Sequence, residues 1–197
     1  MNKILTVVVP TYNMEKYLRK CLDSLIVSDE NMQRLEVLVI NDGSKDSSSQ
    51  IAHEYEAKYP QTFRVIDKEN GNYGSCINRG LKEATGKYIK ILDADDSVNS
   101  LNFCKLIKYL SISDSDMVIT DYERVTDSGE RVSYHSYPFL KDKPFGPEKL
   151  NTHNNIEMHA ITYRKERLLE IKYKQSEGIY SLWHNRRNRY YIFGTCM

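Results

Sequence analysis

The sequence predicts an α/β fold, a mostly parallel sheet flanked by helices, and three observations carry that expectation. Short, β-branched apolar runs recur along the chain, as strands buried on both faces require. Each is followed by a segment whose apolar residues recur at helical spacing, an alternation that closes into right-handed crossovers. Three of the runs lead into polar turns, at residues 10–13, 41–44 and 93–96. Ligands of such sheets bind beyond the carboxyl ends of the strands.

Ile4-Leu5-Thr6-Val7-Val8-Val9 reads as the first buried strand, ended by Pro10. Tyr17, Leu18, Cys21, Leu22 and Leu25 then place a helix over residues 14–26. A second strand spans 36–40. The turn Asn41-Asp42-Gly43-Ser44 leads into a helix on which Ile51, Ala52, Tyr55 and Tyr59 share a face, with Ser44 as its N-cap. Residues 63–66 form a third strand and 68–73 a polar loop. Ile77, Leu81 and Ala84 mark a third helix, closed by Gly86 in the C′ position. A fourth strand, 87–92, runs into Asp93-Ala94-Asp95-Asp96, and a helix at 101–110 and a strand at 117–120 follow. The pattern then loosens into a hairpin over 122–137 around Asp127-Ser128-Gly129, a strand over 156–162 and a helix over 164–171. The 197 residues thus fit one domain, its first half at 1–121 and a second region of the same domain at 122–197.

Lys and Arg (28) nearly cancel Asp and Glu (27), so no overall field draws the chain to nucleic acid or anionic lipid. None of the four cysteines stands in a C-x-x-C pair, and Cys21, Cys76 and Cys104 fall among apolar residues of the expected helices. That is the pattern of buried thiols rather than of a disulfide framework or a zinc site. The first apolar run, six residues long, is too short for a signal sequence or a membrane span, and a reducing, cytoplasmic location is the expectation.

Asp93, Asp95 and Asp96 follow a buried strand of a parallel sheet, which brings three carboxylates to the point where that strand meets solvent. Such a concentration of negative charge is unfavourable unless a cation sits among it. Hard oxygen donors suit Mg²⁺ or Mn²⁺, ions that bind through one or two carboxylates plus substrate phosphates. Two roles are open to Asp42: a local Asx turn, or acceptance of a hydrogen bond from a base NH. Tyr12 can stack on a nucleobase or cover the end of the sheet. No G-x-G-x-x-G follows the first strand and no G-x-x-x-x-G-K-[ST] occurs, which removes support for dinucleotide-binding dehydrogenases and P-loop enzymes. A nucleotidyltransferase lacks support too, because no glycine- and basic-rich loop follows the first strand.

Four stretches together resemble the family-2 glycosyltransferases, which have the Rossmann-like GT-A fold. They are Val7-Val8-Val9-Pro10-Thr11-Tyr12-Asn13, residues 36–44 with Asp46, residues 70–80, and residues 84–96, in the family's order and covering roughly residues 4–120. The resemblance implies an activated sugar donor, a UDP-sugar in most members, transfer with inversion, and a role in cell-surface polysaccharide or glycan synthesis. Pro10, Thr11, Tyr12, Asn13, Asp42, Asn70, Asp93 and Ala94 would then contact the donor nucleotide. Asp95, with Asp93 and Asp96, would hold Mn²⁺ or Mg²⁺. The acceptor would be a glycan or a lipid-linked molecule, with peripheral contact at the inner face of the membrane and no nucleic-acid partner.

Two departures from the family pattern stand out. Many relatives carry Ala-Arg-Asn where this chain has Cys76-Ile77-Asn78, so Ile77 takes the place of an Arg that helps hold the donor; Arg79 is not its substitute. The family's catalytic base lies on an acidic motif well after the D-x-D, yet residues 178–197 contain no Asp or Glu and hold Trp183, His184, Arg186, Arg187 and Arg189 instead. Glu177 is the candidate base. The expectation from this atypical segment is a shortened chain with an altered reading frame after about Tyr180. A donor-binding protein without transfer activity is the alternative to an active enzyme.

Overall fold

The computed structural model describes residues 2–126, 128–137, 156–171 and 174, together with short strands at 144–145 and 190–193. The strands are β1 (Leu5–Thr11), β2 (Leu35–Asn41), β3 (Phe63–Asp67), β4 (Tyr88–Ile91), β5 (Met117–Thr120), β6 (Tyr122–Val125), β7 (Arg131–His135), β8 (Pro144–Phe145), β9 (Ile161–Arg164) and β10 (Tyr190–Phe193). The helices are α1 (Leu18–Ser24), α2 (Asp29–Arg34), α3 (Ser48–Lys58), α4 (Asn72–Glu83), α5 (Ser100–Ile112) and α6 (Lys165–Glu170). One sheet of eight strands has the order β3-β2-β1-β4-β9-β5-β10-β8, and β6 and β7 form a separate hairpin. Six strands of the large sheet run one way. β9 lies antiparallel between β4 and β5, and β8 antiparallel to β10. The expected α/β class with a mostly parallel sheet is the one observed.

Alternation along the buried strands builds the two faces. Val7 and Val9 of β1 join Val37 and Val39 of β2 in a core with Leu22 of α1, Ala52 of α3 and Ile107 of α5. Val8, Leu38 and Ile40 point the other way, onto Ile77 and Leu81 of α4 and Leu168 of α6. Successive side chains of a strand face opposite sides, so runs apolar at every position are what a sheet covered on both faces requires.

Five expectations are corrected. Pro10 does not end the first strand: β1 runs on to Thr11, with Pro10 opposite Ile40 of β2. The carbonyl of Val8 accepts from Leu92 on the β4 side. By the two-residue repeat, the donor that Pro10 lacks faces the same side, where β1 outruns β4. The helix expected over 14–26 is only Leu18–Ser24, reached through turns in which the N–H groups of Tyr17 and Leu18 donate to the Met14 carbonyl, and α2 follows as a separate short helix.

Ser44 is not an N-cap, because α3 begins at Ser48 with Ser47 before it. Gly86 is not a C′ residue, because α4 ends at Glu83 with Ala84 as its C-cap. What Gly86 supplies is room: a Cβ there would lie 2.6 Å from the backbone nitrogen of Thr6. That close approach lets the Gly86 N–H donate to Thr6 Oγ1 (2.9 Å), while Thr6 Oγ1 (2.6 Å) and the Thr85 N–H (2.8 Å) both donate to buried Glu36. Finally, the strand expected over 156–162 is a 3-10 turn, Met158–Ala160, followed by β9 at Ile161–Arg164. The pairing of β6 with β7 in the expected hairpin region and the strand at Met117–Thr120 fall as expected.

Candidate active site

β2, β1 and β4 are neighbours and parallel, so the three polar turns at their carboxyl ends lie side by side. The first two are laced together. Asn13, in the left-handed region at φ 53°, donates its N–H to Ser44 Oγ (3.1 Å) and accepts from the Lys45 N–H at Oδ1 (2.7 Å). The Glu15 N–H donates to Asp46 (3.0 Å), whose other oxygen accepts from the Ser48 N–H at the start of α3 (3.0 Å). Asn13, Ser44 and Asp46 thereby fix the shape of the turns. Thr11 is buried, its hydroxyl donating to the Val9 carbonyl (3.2 Å) and its own carbonyl accepting from the Asp42 N–H (2.8 Å). Tyr12, by contrast, is 46% exposed, a ring presented to solvent rather than a cover for the sheet end.

Asp42 is 3% exposed, and its partners are not local. One carboxylate oxygen accepts from the Gly71 N–H (2.9 Å) and from the ammonium of Lys68, while Asn70 donates its side-chain amide to the Asp42 carbonyl (3.1 Å). The β2 turn and the loop entering α4 are therefore held as one unit. Asp42 and Asn70 are thus brought together. Lys68, which also donates to Ser75 Oγ (2.9 Å), was not singled out from sequence. The available signal was a lysine at the end of a strand, in the loop opposite a buried aspartate.

The acidic turn does not gather its three carboxylates at one point. Asp93 accepts from the Tyr73 hydroxyl (2.6 Å), Asp96 lies 3.9 Å from His159 Nδ1, and Asp95 is exposed with no described partner. Among the described residues no group of three His, Cys, Asp or Glu side chains is placed to hold a metal unaided. The donor set still fits Mg²⁺ or Mn²⁺: a solvent-facing Asp95 flanked by two more carboxylates offers hard oxygens and leaves most of the coordination shell to phosphates and water. Ala94, between Asp93 and Asp95, is buried. Burial pushes the Asp96 carboxyl above its usual range; His159 and Lys90 oppose the shift, and Asp93 and Asp95 add to it.

The departures take physical form as well. Ile77 is core, packed beneath β1 and β2, and Arg79 donates to Glu83 one turn along α4 (2.9 Å) instead of reaching the site. Glu177, residues 178–189 and Cys196 lie outside the described residues. Cys21 and Cys76 are free thiols that burial pushes upward, Cys76 to about 11. A cavity of about 400 Å³ adjoins the acidic turn, bounded by Lys90, Asp95, Asp96, Asn99, Tyr134 and His159. A second hollow, about 460 Å³ at Gly86, Lys87 and Arg164, lies at the opposite end of β4 from the acidic turn.

The fold is of the GT-A type. The structure matches TarS of S. aureus, solved in complex with UDP, with a TM-score of 0.74 at 22% identity, covering 96% of this chain and 60% of that one. It also matches the mannosyltransferase PcManGT of Pyrobaculum calidifontis, solved with GDP-Man and Mn²⁺, with a TM-score of 0.65 at 19% identity, covering 91% of this chain and 49% of that one. The chain belongs to glycosyl transferase family 2, whose family model matches residues 6–171. It is 30% identical to EpsH of Bacillus subtilis (strain 168) over 174 residues, 80% of this chain and 49% of EpsH. It is 33% identical to the glycosyltransferase GlyA of Streptococcus pneumoniae serotype 4 over 131 residues, 66% of this chain and 18% of GlyA. The chain thus spans half or less of the length of these relatives.

Proposed function

We propose that this chain carries the donor site of a glycosyltransferase that moves a sugar from a nucleotide-sugar, a UDP-sugar first, to an acceptor hydroxyl with inversion and metal assistance. The observation that carries the reading is the juxtaposition, at the ends of three adjacent parallel strands, of exposed Tyr12, buried Asp42 and solvent-facing Asp95. In this reading the Tyr12 ring stacks on the base, and the Asp42 carboxylate, held in place by Lys68 and Gly71, accepts a base N–H. Asp95, with Asp93 or Asp96, would hold Mn²⁺ or Mg²⁺. The ion would supply Lewis-acid stabilisation of the charge that grows on the departing diphosphate.

The acceptor hydroxyl oxygen attacks C1 of the sugar on the face opposite the diphosphate, and the C1–O bond to the diphosphate breaks. The hydroxyl proton passes to a carboxylate base, for which Glu177 is the sequence candidate. TarS solved with UDP and with UDP-GlcNAc, and PcManGT solved with GDP-Man and Mn²⁺, support a nucleotide-sugar donor and a divalent ion. Similarity to GgaB of B. subtilis, a minor teichoic acid biosynthesis protein, supports a part in cell-surface polysaccharide assembly. No described helix is long and apolar enough to cross a membrane. A cytoplasmic place at the inner membrane face belongs to the proposal itself.

The experiment is calorimetric titration of UDP, with and without Mn²⁺, into the chain and into Asp95→Ala. Metal-dependent binding abolished by the substitution is the expected result. Failure of UDP, GDP and TDP alike to bind in the presence of Mn²⁺ overturns the reading.

A further inference from the structure

Lys90 sits in β4, a strand otherwise made of Tyr88, Ile89 and Ile91, and is 4% exposed. Its ammonium donates to the carbonyl of His159 in the 3-10 turn before β9, and among the described residues its two other N–H donors have no protein partner. A buried ammonium so poorly satisfied is costly unless a negative field compensates it. The acidic turn provides that field. Lys90, Asp95 and Asp96 bound the same cavity of about 400 Å³, and the charges of Lys90 and Asp96 act on one another. His159 ties the group together, its carbonyl taking Lys90 while its ring nitrogen stands 3.9 Å from Asp96. Packing alone does not call for a cation here, since methionine would fill the volume without the desolvation cost.

We propose that Lys90 is a counter-ion built into the sheet, which offsets the negative charge of the acidic turn and weakens its grip on a divalent cation. The metal is then shared with the diphosphate of the incoming donor instead of being retained by the protein between turnovers. This inference rests on the metal-assisted reading above and goes beyond it, because it assigns the protein's own cation a part in how tightly the metal is held. A positive charge near a bound dication opposes it, so removing that charge strengthens metal binding, on the order of tenfold in a partly screened site.

The test titrates Mn²⁺ alone, and then UDP in the presence of Mn²⁺, into the full chain and into Lys90→Met. Tighter Mn²⁺ binding by the variant, on the order of tenfold, and a larger Mn²⁺-induced rise in its melting temperature are expected. A mere packing defect would weaken metal binding, so the sign of the change separates charge from structure. Lys90→Gln, uncharged and still able to donate to the His159 carbonyl, carries the same test should the methionine variant fail to fold. Equal or weaker Mn²⁺ binding by the uncharged variants overturns the role of Lys90 and leaves the donor site standing. A wild-type chain that binds neither Mn²⁺ nor UDP overturns both.

Discussion

The carboxylate of Asp42 and the ammonium of Lys68, 26 residues apart in sequence, form an ion pair in which the aspartate side chain is 4% exposed and the lysine 18%. Removing one partner strands a charge that water cannot reach. Lys68→Met is therefore expected to cost about 2–3 kcal/mol of stability, read by urea denaturation. Asp42→Asn with Lys68→Met should cost less than the sum of the two single changes, with a coupling of about 1–2 kcal/mol. Strict additivity would show that the pair contributes nothing as a pair.

Tyr12 can be removed without touching the core, because nearly half of it is exposed. Tyr12→Ala should weaken UDP binding by about 1–3 kcal/mol, the worth of one base–aromatic stack, with an unchanged melting temperature. Tyr12→Phe keeps the ring and should bind as the wild type does. A loss of affinity in the Phe variant would mean that the hydroxyl, not the ring face, makes the contact.

The seat of α4 on β1 depends on Gly80, where a Cβ would lie 2.4 Å from Cγ1 of Val8. Val8 is wholly buried in a central strand and has nowhere to move. Gly80→Ala should destabilise by about 1–3 kcal/mol through overpacking. Val8→Ala in the same chain should recover part of that loss, which thermal melts of the single and double variants would show.

His53 stands between two carboxylates, 2.8 Å from both Asp67 and Glu56, and the hydrogen bond to Asp67, then that to Glu56, raises its pKa above the ordinary 6.5. A raised folded-state value means that the stabilisation is fully present below pH 6.5 and is lost as pH climbs through the raised value. The wild type should therefore melt above His53→Gln at pH 5.5–6, in conditions where both fold reversibly, and the gap should close toward pH 9. The ring is half-exposed, so the gap is small; a gap independent of pH would assign it to packing.

Much of the site was legible in the chain because its parts are local. An apolar run that ends in a polar turn announces a buried strand and the point where it meets solvent, and β1, β2 and β4 with their turns were all read this way. The loop from Asn70 into α4 was legible for the same reason. The start of α3 was not legible: Ser44 precedes the apolar face, yet its hydroxyl accepts from the Asn13 N–H, 31 residues away, and the Ser47 N–H before the helix donates to Glu15, 32 residues away. Lys90 had a readable mark, a single charge inside an apolar strand, but the sequence holds no sign of what it faces.

What the sequence by itself determined is the α/β class, the faces of the strands, and the three turns that carry Tyr12, Asp42 and Asp95. Periodicity reports which side of a segment is buried, and nothing more is needed for those features. Tertiary structure alone decided that β9 enters the sheet antiparallel between β4 and β5, that Lys68 closes on Asp42, and that Lys90 and His159 stand beside Asp96. Those pairings join residues as far apart as Tyr88 and Arg164, and which segments meet is fixed by the path of the crossovers and the order of the strands, a property of the packed sheet that no local pattern encodes.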